Sequence, residues 1–364
     1  MVFMKIAISY LAVMVPVSGL ASMEKDTNDD VLWTWSYPTV SAEQRSMFIQ
    51  RCGLSSRPET ASCPFLYSQW NHTWYYIYTS VVKETDALSR VKMFSIVLVT
   101  KDFNPEKYEV LCRVFSQNFC RTGSPATMLE AYMSVVTRGT CAMEENGKFS
   151  TSDYDVKKAY ANSKVKSIIE TFGVETIRLY TALLLKKRIV IYYPTHSLQE
   201  LLTFTRSLPA LVWHRQNWGI VYSYMELNDT EIDQLRSCNT YVAGFTDATV
   251  ESREDLYDLF VNGSAGQISV ASHAKESLAM GKLHKDIAVF MMQCVENENM
   301  SDYQIIKEIA NKTKELLNNL KSLAVMGDDG KPYITLECLK DRKMPPASEN
   351  FLFSLAACEG LVPI

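Results

Sequence analysis

Apolar residues recur at three- and four-residue intervals along Val174, Ile177, Tyr180, Leu183 and Leu184, and the chain then enters the β-rich run Ile189 to Tyr193. This spacing predicts a helix feeding a buried strand. Pro194 turns the chain into a second helix, which runs from Leu198 toward Trp213. Ser197 and Glu200 stand at the capping-box spacing that satisfies free amides at a helix start. Helix, strand and helix in that order form a unit of an α/β layer fold.

The upstream half reads differently. Val31, Trp33, Trp35 and Tyr37 alternate with Leu32, Thr34 and Ser36, which is the period of a strand. The acidic turn Asp26 to Asp30 lets that strand pair with Gly19 to Met23 as a hairpin. Strands are expected at Trp74 to Val82 and Met93 to Thr100. Helices are expected from Pro105 to about Phe119, capped by Asn104, and from Pro125 to about Thr137, capped by Ser124 and stopped near Gly139. Residues 17–140 therefore read as an α+β lobe. The polar stretch 141–164 reads as a linker.

From residue 165 to 364 the text implies a larger α/β lobe. A helix over Val165 to Phe172 precedes strands near Gly219 to Ser223, Tyr241 to Phe245, Leu256 to Val261 and Ile268 to Val270. Their alternation with helices implies a mostly parallel, two-sided sheet. The remainder is helical, apart from a hairpin candidate with Gly327 to Gly330 before Tyr333 to Cys338. One helix, Asp302 to Leu323, opens with a capping box at Ser301 and Gln304. Its apolar positions Ile306, Ile309, Thr313, Leu316, Leu320 and Leu323 suit either a coiled-coil seam or a core-facing stripe. The short run of heptads and the threonine favour the core.

At 364 residues the chain suits two lobes rather than one core. With 47% hydrophobic and 21% charged residues and a net charge of -4, it falls in the globular class and carries no global basic field for nucleic acid. Nine cysteines form no C-x-x-C pair and read as reduced thiols of a cytosolic protein. The amino terminus points elsewhere. Residues 1–16 form a leader-like extension, since Lys5 precedes an uncharged run to Met23 and Gly19, Leu20 and Ala21 suit a cleavage site. Sequons at Asn71, Asn228, Asn262, Asn299 and Asn311 extend this secreted reading. Pairing of Gly19 to Met23 in a hairpin would instead make the segment part of the fold.

No phosphate loop, G-x-S-x-G or H-E-x-x-H occurs, and the five histidines lack the spacing of a local metal site. Neither a catalytic side chain nor a cofactor or metal is expected. The densest constellation is Trp213 to Trp218, where tryptophan and arginine are residue types that anchor interfaces. A plainer reading has both tryptophans in the core, with His214 and Arg215 capping the carboxyl end of their own helix. Lys101 to Asn104 reads first as a strand-to-helix turn and second as a contact loop. Residue type and loop position nominate Asp102, His214 and Arg215 as partner contacts. The basic cluster Lys186, Lys187 and Arg188 reads as dipole complementation at a helix end.

The strings LYTALLLKKRIVIYY, LPALVWHRQNW, YVAGF and DLYDLFVN resemble the DENN domain family, and the likeness continues through EKDTNDDVLWTWSYP, FSIVLVTKDFNPEKY, MGKLHKD and PPASENFL. It covers the chain from about Gly19 to its end. The resemblance implies a two-lobed DENN fold, with a longin-like first lobe and a larger α/β lobe that is helical toward its carboxyl end. It further implies guanine-nucleotide exchange on a Rab GTPase in late-endosome homeostasis and in vesicle and exocytic traffic. Such a protein is cytoplasmic and reaches the endosomal membrane through partners. A second implied role is that of a non-catalytic adaptor binding coiled-coil subunits of the Commander recycling assembly. The extension before about Val15 departs from the family, and cleavage after Ala21 would remove the first strand of the longin-like lobe.

Overall fold

The computed structural model describes residues 17–54, 63–83, 87–142, 147–326 and 332–362. The leader-like stretch 1–16 and the turn Gly327 to Gly330 lie outside them. The chain divides into two compact units, Met1–Ala159 and Tyr160–Ile364.

In the first unit β1 (Val17–Asp26) and β2 (Val31–Tyr37) form the expected hairpin across the acidic turn. Asp26 organises that turn, its Oδ1 accepting from the amides of Asn28 and Asp30 at 2.8 and 2.9 Å. Helix α1 (Ala42–Arg51) follows, then β3 (Phe65–Trp70), β4 (Thr73–Val81), β5 (Val91–Thr100), α2 (Pro105–Thr122) and α3 (Pro125–Arg138). The five strands form one antiparallel sheet in the order β2-β1-β5-β4-β3. Because β1 is paired on both sides and Val17, Leu20 and Ala21 are buried, cleavage after Ala21 would remove half of an interior strand. Within 141–164 the chain forms the short pair β6 (Thr140–Ala142) and β7 (Lys148–Ser150) and the helix α4 (Val156–Ala161).

The second unit begins with α5 (Val165–Phe172), α6 (Thr176–Leu184), β8 (Arg188–Tyr192) and α7 (Leu198–Ser207), which runs on into a 3-10 turn over Leu208–Val212. There follow β9 (Val221–Met225), α8 (Asp229–Arg236), β10 (Tyr241–Phe245), β11 (Leu259–Asn262) and β12 (Gln267–Val270). The sheet order is β12-β11-β8-β10-β9, with every pair parallel except β11 and β12. Ile189, Val190 and Ile191 of β8 are fully buried, as an inner strand covered on both faces requires. Helices α9 (Lys282–Glu296) and α10 (Asp302–Lys321), the pair β13 (Val325–Met326) and β14 (Pro332–Tyr333), and helices α11 (Leu336–Lys340) and α12 (Pro346–Cys358) complete the unit.

Three expectations are corrected. Ser197 makes no side-chain cap on α7, because Thr195–Ser197 form a 3-10 turn that holds it away from the extended backbone of a capping residue. Ser124 makes no cap on α3 either; its own amide bonds Thr122 Oγ1 at 3.3 Å. The strand expected over Tyr333 to Cys338 ends at Tyr333, since the Thr335 hydroxyl accepts from the Cys338 amide and starts α11. The stripe on α10 faces the core. Its Thr313 hydroxyl donates to the Ile309 carbonyl at 2.8 Å and meets the Tyr180 hydroxyl at 2.9 Å, so the seam position is satisfied internally.

Gly244 sits in β10 where an added Cβ would lie 2.4 Å from the Ser223 carbonyl oxygen. Backbone cannot yield as a flexible side chain can. Gly244→Ala is therefore expected to cost about 2 kcal/mol, read as a lowered urea midpoint of the full chain. Among the described residues no helix is long and apolar enough to cross a membrane.

Candidate partner-contact sites

Asp102 belongs to the first unit, in the turn from β5 to α2. Its Oδ2 accepts from Lys107 Nζ at 2.9 Å and its Oδ1 from the Tyr108 hydroxyl. Its carbonyl accepts from the Tyr76 hydroxyl at 3.1 Å and from Thr100 Oγ1 at 3.0 Å. The Tyr76 hydroxyl in turn accepts from the Asn104 amide, while Asn104 caps α2 by accepting from the Lys107 amide. The turn is thus knitted to β4 and to the first turn of α2. Burial and the neighbouring Asp102 charge push the Tyr108 phenol well above its ordinary pKa, so it remains a donor. The Asp102 side chain keeps 22% exposure and that of Lys107 only 6%.

His214 and Arg215 belong to the second unit, just past the 3-10 turn that ends α7. Arg215 donates from Nη1 to the Leu183 carbonyl at 2.8 Å and from Nη2 to the Leu184 carbonyl at 2.7 Å. Its Nε donates to Glu359 Oε1 at 3.2 Å, and Nη2 also reaches that oxygen. One guanidinium therefore ties the end of α6 to the residue that caps α12. Capping is real, but the capped helix is α6 and not α7. Since α7 continues into Leu208–Val212, its own end is carried away from these side chains. His214 Nε2 lies 3.4 Å from the same carboxylate. The side chains of His214, Arg215 and Glu359 are 24, 16 and 19% exposed.

Hydrogen bonding from His214, then the hydrogen bond and charge of Arg215, hold the Glu359 carboxyl down at about 2 against the opposing effect of burial. A depressed carboxyl binds fewer protons folded than unfolded as pH falls. Its contribution is complete above the ordinary value of 4.5 and is lost between there and about 2. Urea midpoints should thus fall less steeply between pH 5 and pH 2.5 (roughly those limits) in Glu359→Gln than in the unsubstituted chain. Parallel curves would contradict this.

Neighbouring residues of the Trp213 to Trp218 run and of the basic cluster also make contacts. Trp218 is buried, donates to the Arg206 carbonyl at 2.8 Å and stacks on Tyr160 with ring centroids 4.0 Å apart. Trp213 meets it edge-on and remains partly exposed. In the basic cluster, Arg188 pairs with Asp258 at 3.1 Å and reaches the Asp255 carbonyl and His273. Glu359, Asp258 and Lys107 carry these sites and were not nominated from the sequence. Glu359 lies 144 positions from Arg215 and Asp258 lies 70 from Arg188, so no local pattern announces them. Lys107 alone left a local trace, five positions after Asp102 at a capped helix start. None of the nine cysteines is joined in a disulfide. Among the described residues no group of three metal-ligating side chains converges.

A family model described as "SPA: Stabilization of polarity axis" matches residues 162–272, from just before α5 through β12. Relatives from Danio rerio, Homo sapiens and Dictyostelium discoideum are 48, 45 and 39% identical over 346, 347 and 359 residues. These alignments cover 95, 95 and 94% of this chain and 98, 96 and 97% of the relatives. With mixed α/β architecture throughout and likeness across both units, this chain belongs to the family of DENN domain-containing proteins. In each of the three organisms the similar protein is DENN domain-containing protein 10.

Proposed function

We propose that this protein is a guanine-nucleotide exchange factor for a Rab GTPase, working from the cytoplasm in late-endosome homeostasis and in vesicle and exocytic traffic. The observation that carries the reading is likeness to DENN domain-containing proteins along nearly the whole of both chains. Exchange needs no nucleophile in this protein, because the nucleotide belongs to the partner. The lever is a difference in affinity: the exchange factor binds the emptied GTPase better than the loaded one. Binding both forms equally would leave the release rate unchanged. Asp102 and His214 keep part of their surface for such a partner, and Arg215 holds His214 in place through Glu359. Membrane association is peripheral and comes through partners.

The reading predicts that the full chain binds a nucleotide-free Rab at least about tenfold tighter than the same Rab loaded with GDP, a difference of about 1.4 kcal/mol. Titration calorimetry across a Rab panel measures it. Equal affinities for both forms of every Rab would overturn exchange and leave the adaptor role, in which coiled-coil subunits of the Commander assembly are the partner.

A further inference from the structure

A groove of about 360 Å³ runs between α5 and α7 in the second unit. Its floor is Ile168, Phe204 and the ring of Tyr193, and Lys164 and Glu200 stand on its rim. The two helices run antiparallel along it. The Lys164 amide donates to the Ser207 hydroxyl at 2.8 Å, placing the start of α5 beside the last residue of α7, and Phe172 at the end of α5 packs on Phe204. Glu200 precedes Ser207 by two turns of α7, about 10 Å along the axis. The groove therefore carries a cation at one end and a carboxylate at the other. Both residues are exposed, and neither makes an ion pair among the described residues.

Tyr193 lies where it does because residue 263 is glycine, and a Cβ there would fall 1.9 Å from the ring. Burial pushes the phenol up to about 12, so its hydroxyl keeps its proton, and it makes no hydrogen bond among the described residues. An apolar floor beneath the Tyr193 hydroxyl, in a groove lined also by Ser167, Thr171, Gln199 and Thr203 and flanked by opposite charges, suits polypeptide backbone and side chains better than a lipid or a nucleotide. A groove of about 360 Å³ suits an extended segment rather than a helix, which is about 10 Å across.

We propose that this groove docks an extended peptide segment of a partner protein, with an acidic side chain meeting Lys164, a basic one meeting Glu200, and apolar side chains between them. In an extended polyproline II segment, with a rise of about 3.1 Å per residue and three residues per turn, charged positions three residues apart share one face and span this distance. The order of charges along the peptide is left to the direction in which it lies.

The test uses three fluorescein-labelled, end-blocked peptides with cores Glu-Leu-Leu-Lys, Glu-Leu-Leu-Glu and Lys-Leu-Leu-Lys, titrated with the full chain and read by anisotropy. The mixed peptide should bind about fivefold tighter than either other, as expected for one partly exposed ion pair gained. Lys164→Glu should transfer the preference to the doubly basic peptide, and Glu200→Lys to the doubly acidic one. Both variants should melt at the temperature of the unsubstituted chain, since the side chains are exposed. Failure of the mixed peptide to bind at millimolar concentration, or a preference unchanged by both substitutions, would overturn the proposal. No GTPase enters the assay, so its outcome is independent of the exchange reading.

Discussion

Arg215→Ala is expected to destabilise the second unit by about 3 kcal/mol, the range for removing one partner of a largely buried ion pair. The effect has two sources. Glu359 would keep its charge in a site that is four-fifths buried, with only His214 at 3.4 Å to answer it. The Leu184 carbonyl at the end of α6 would also lose the donor that Arg215 supplies, and the Leu183 carbonyl would be left with backbone amides alone. Arg215→Lys should recover less than half of the loss, because an ammonium cannot span two carbonyls and a carboxylate as a planar fork does. Urea denaturation measures the total, and hydrogen exchange should localise it to α6 and α12. A loss below about 1 kcal/mol would show the clamp to be no stronger than a surface pair.

In the first unit Asp102→Ala should cost a similar amount, about 3 kcal/mol, for the complementary reason. Lys107 is the buried partner, and among the described residues Asp102 is the carboxylate that pairs with its ammonium. Tyr108 would lose the acceptor of its hydroxyl as well. A double-mutant cycle separates these effects. Lys107→Met alone should be milder, and Asp102→Ala combined with Lys107→Met should regain most of the loss, since an apolar stem replaces the stranded charge. Strict additivity would contradict this account of the pair. Both results bear on partner binding. Since both substitutions are expected to lower stability, any test of the proposed Rab binding must measure binding and stability on the same variants.

The sequence was most legible where a local rule decides the outcome. The β1–β2 hairpin follows from alternation around an acidic turn, and α2 follows from Asn104 and Pro105. The box at Ser301 and Gln304 starts α10 as its spacing implies. The same rule at Ser41 and Gln44 starts α1. It failed at Ser197, because Pro194 and the 3-10 turn fix a backbone that the side chain cannot override. Strand β3 was missed since Phe65 to Trp70 is buried throughout and shows no alternation of apolar with polar residues. The candidate contact sites were legible only as residue types. Arg215 was singled out for its guanidinium, yet what that group holds depends on Glu359 and on two carbonyls of α6, which only the fold brings together.

The central claim is exchange, and its most direct measurement is release of a fluorescent GDP analogue from each member of a Rab panel, with the full chain present in catalytic amounts. The account predicts accelerated release for at least one Rab, rising with the concentration of this protein and requiring no added reactive group. Release at the intrinsic rate for every Rab, from a chain shown to be folded, would contradict it.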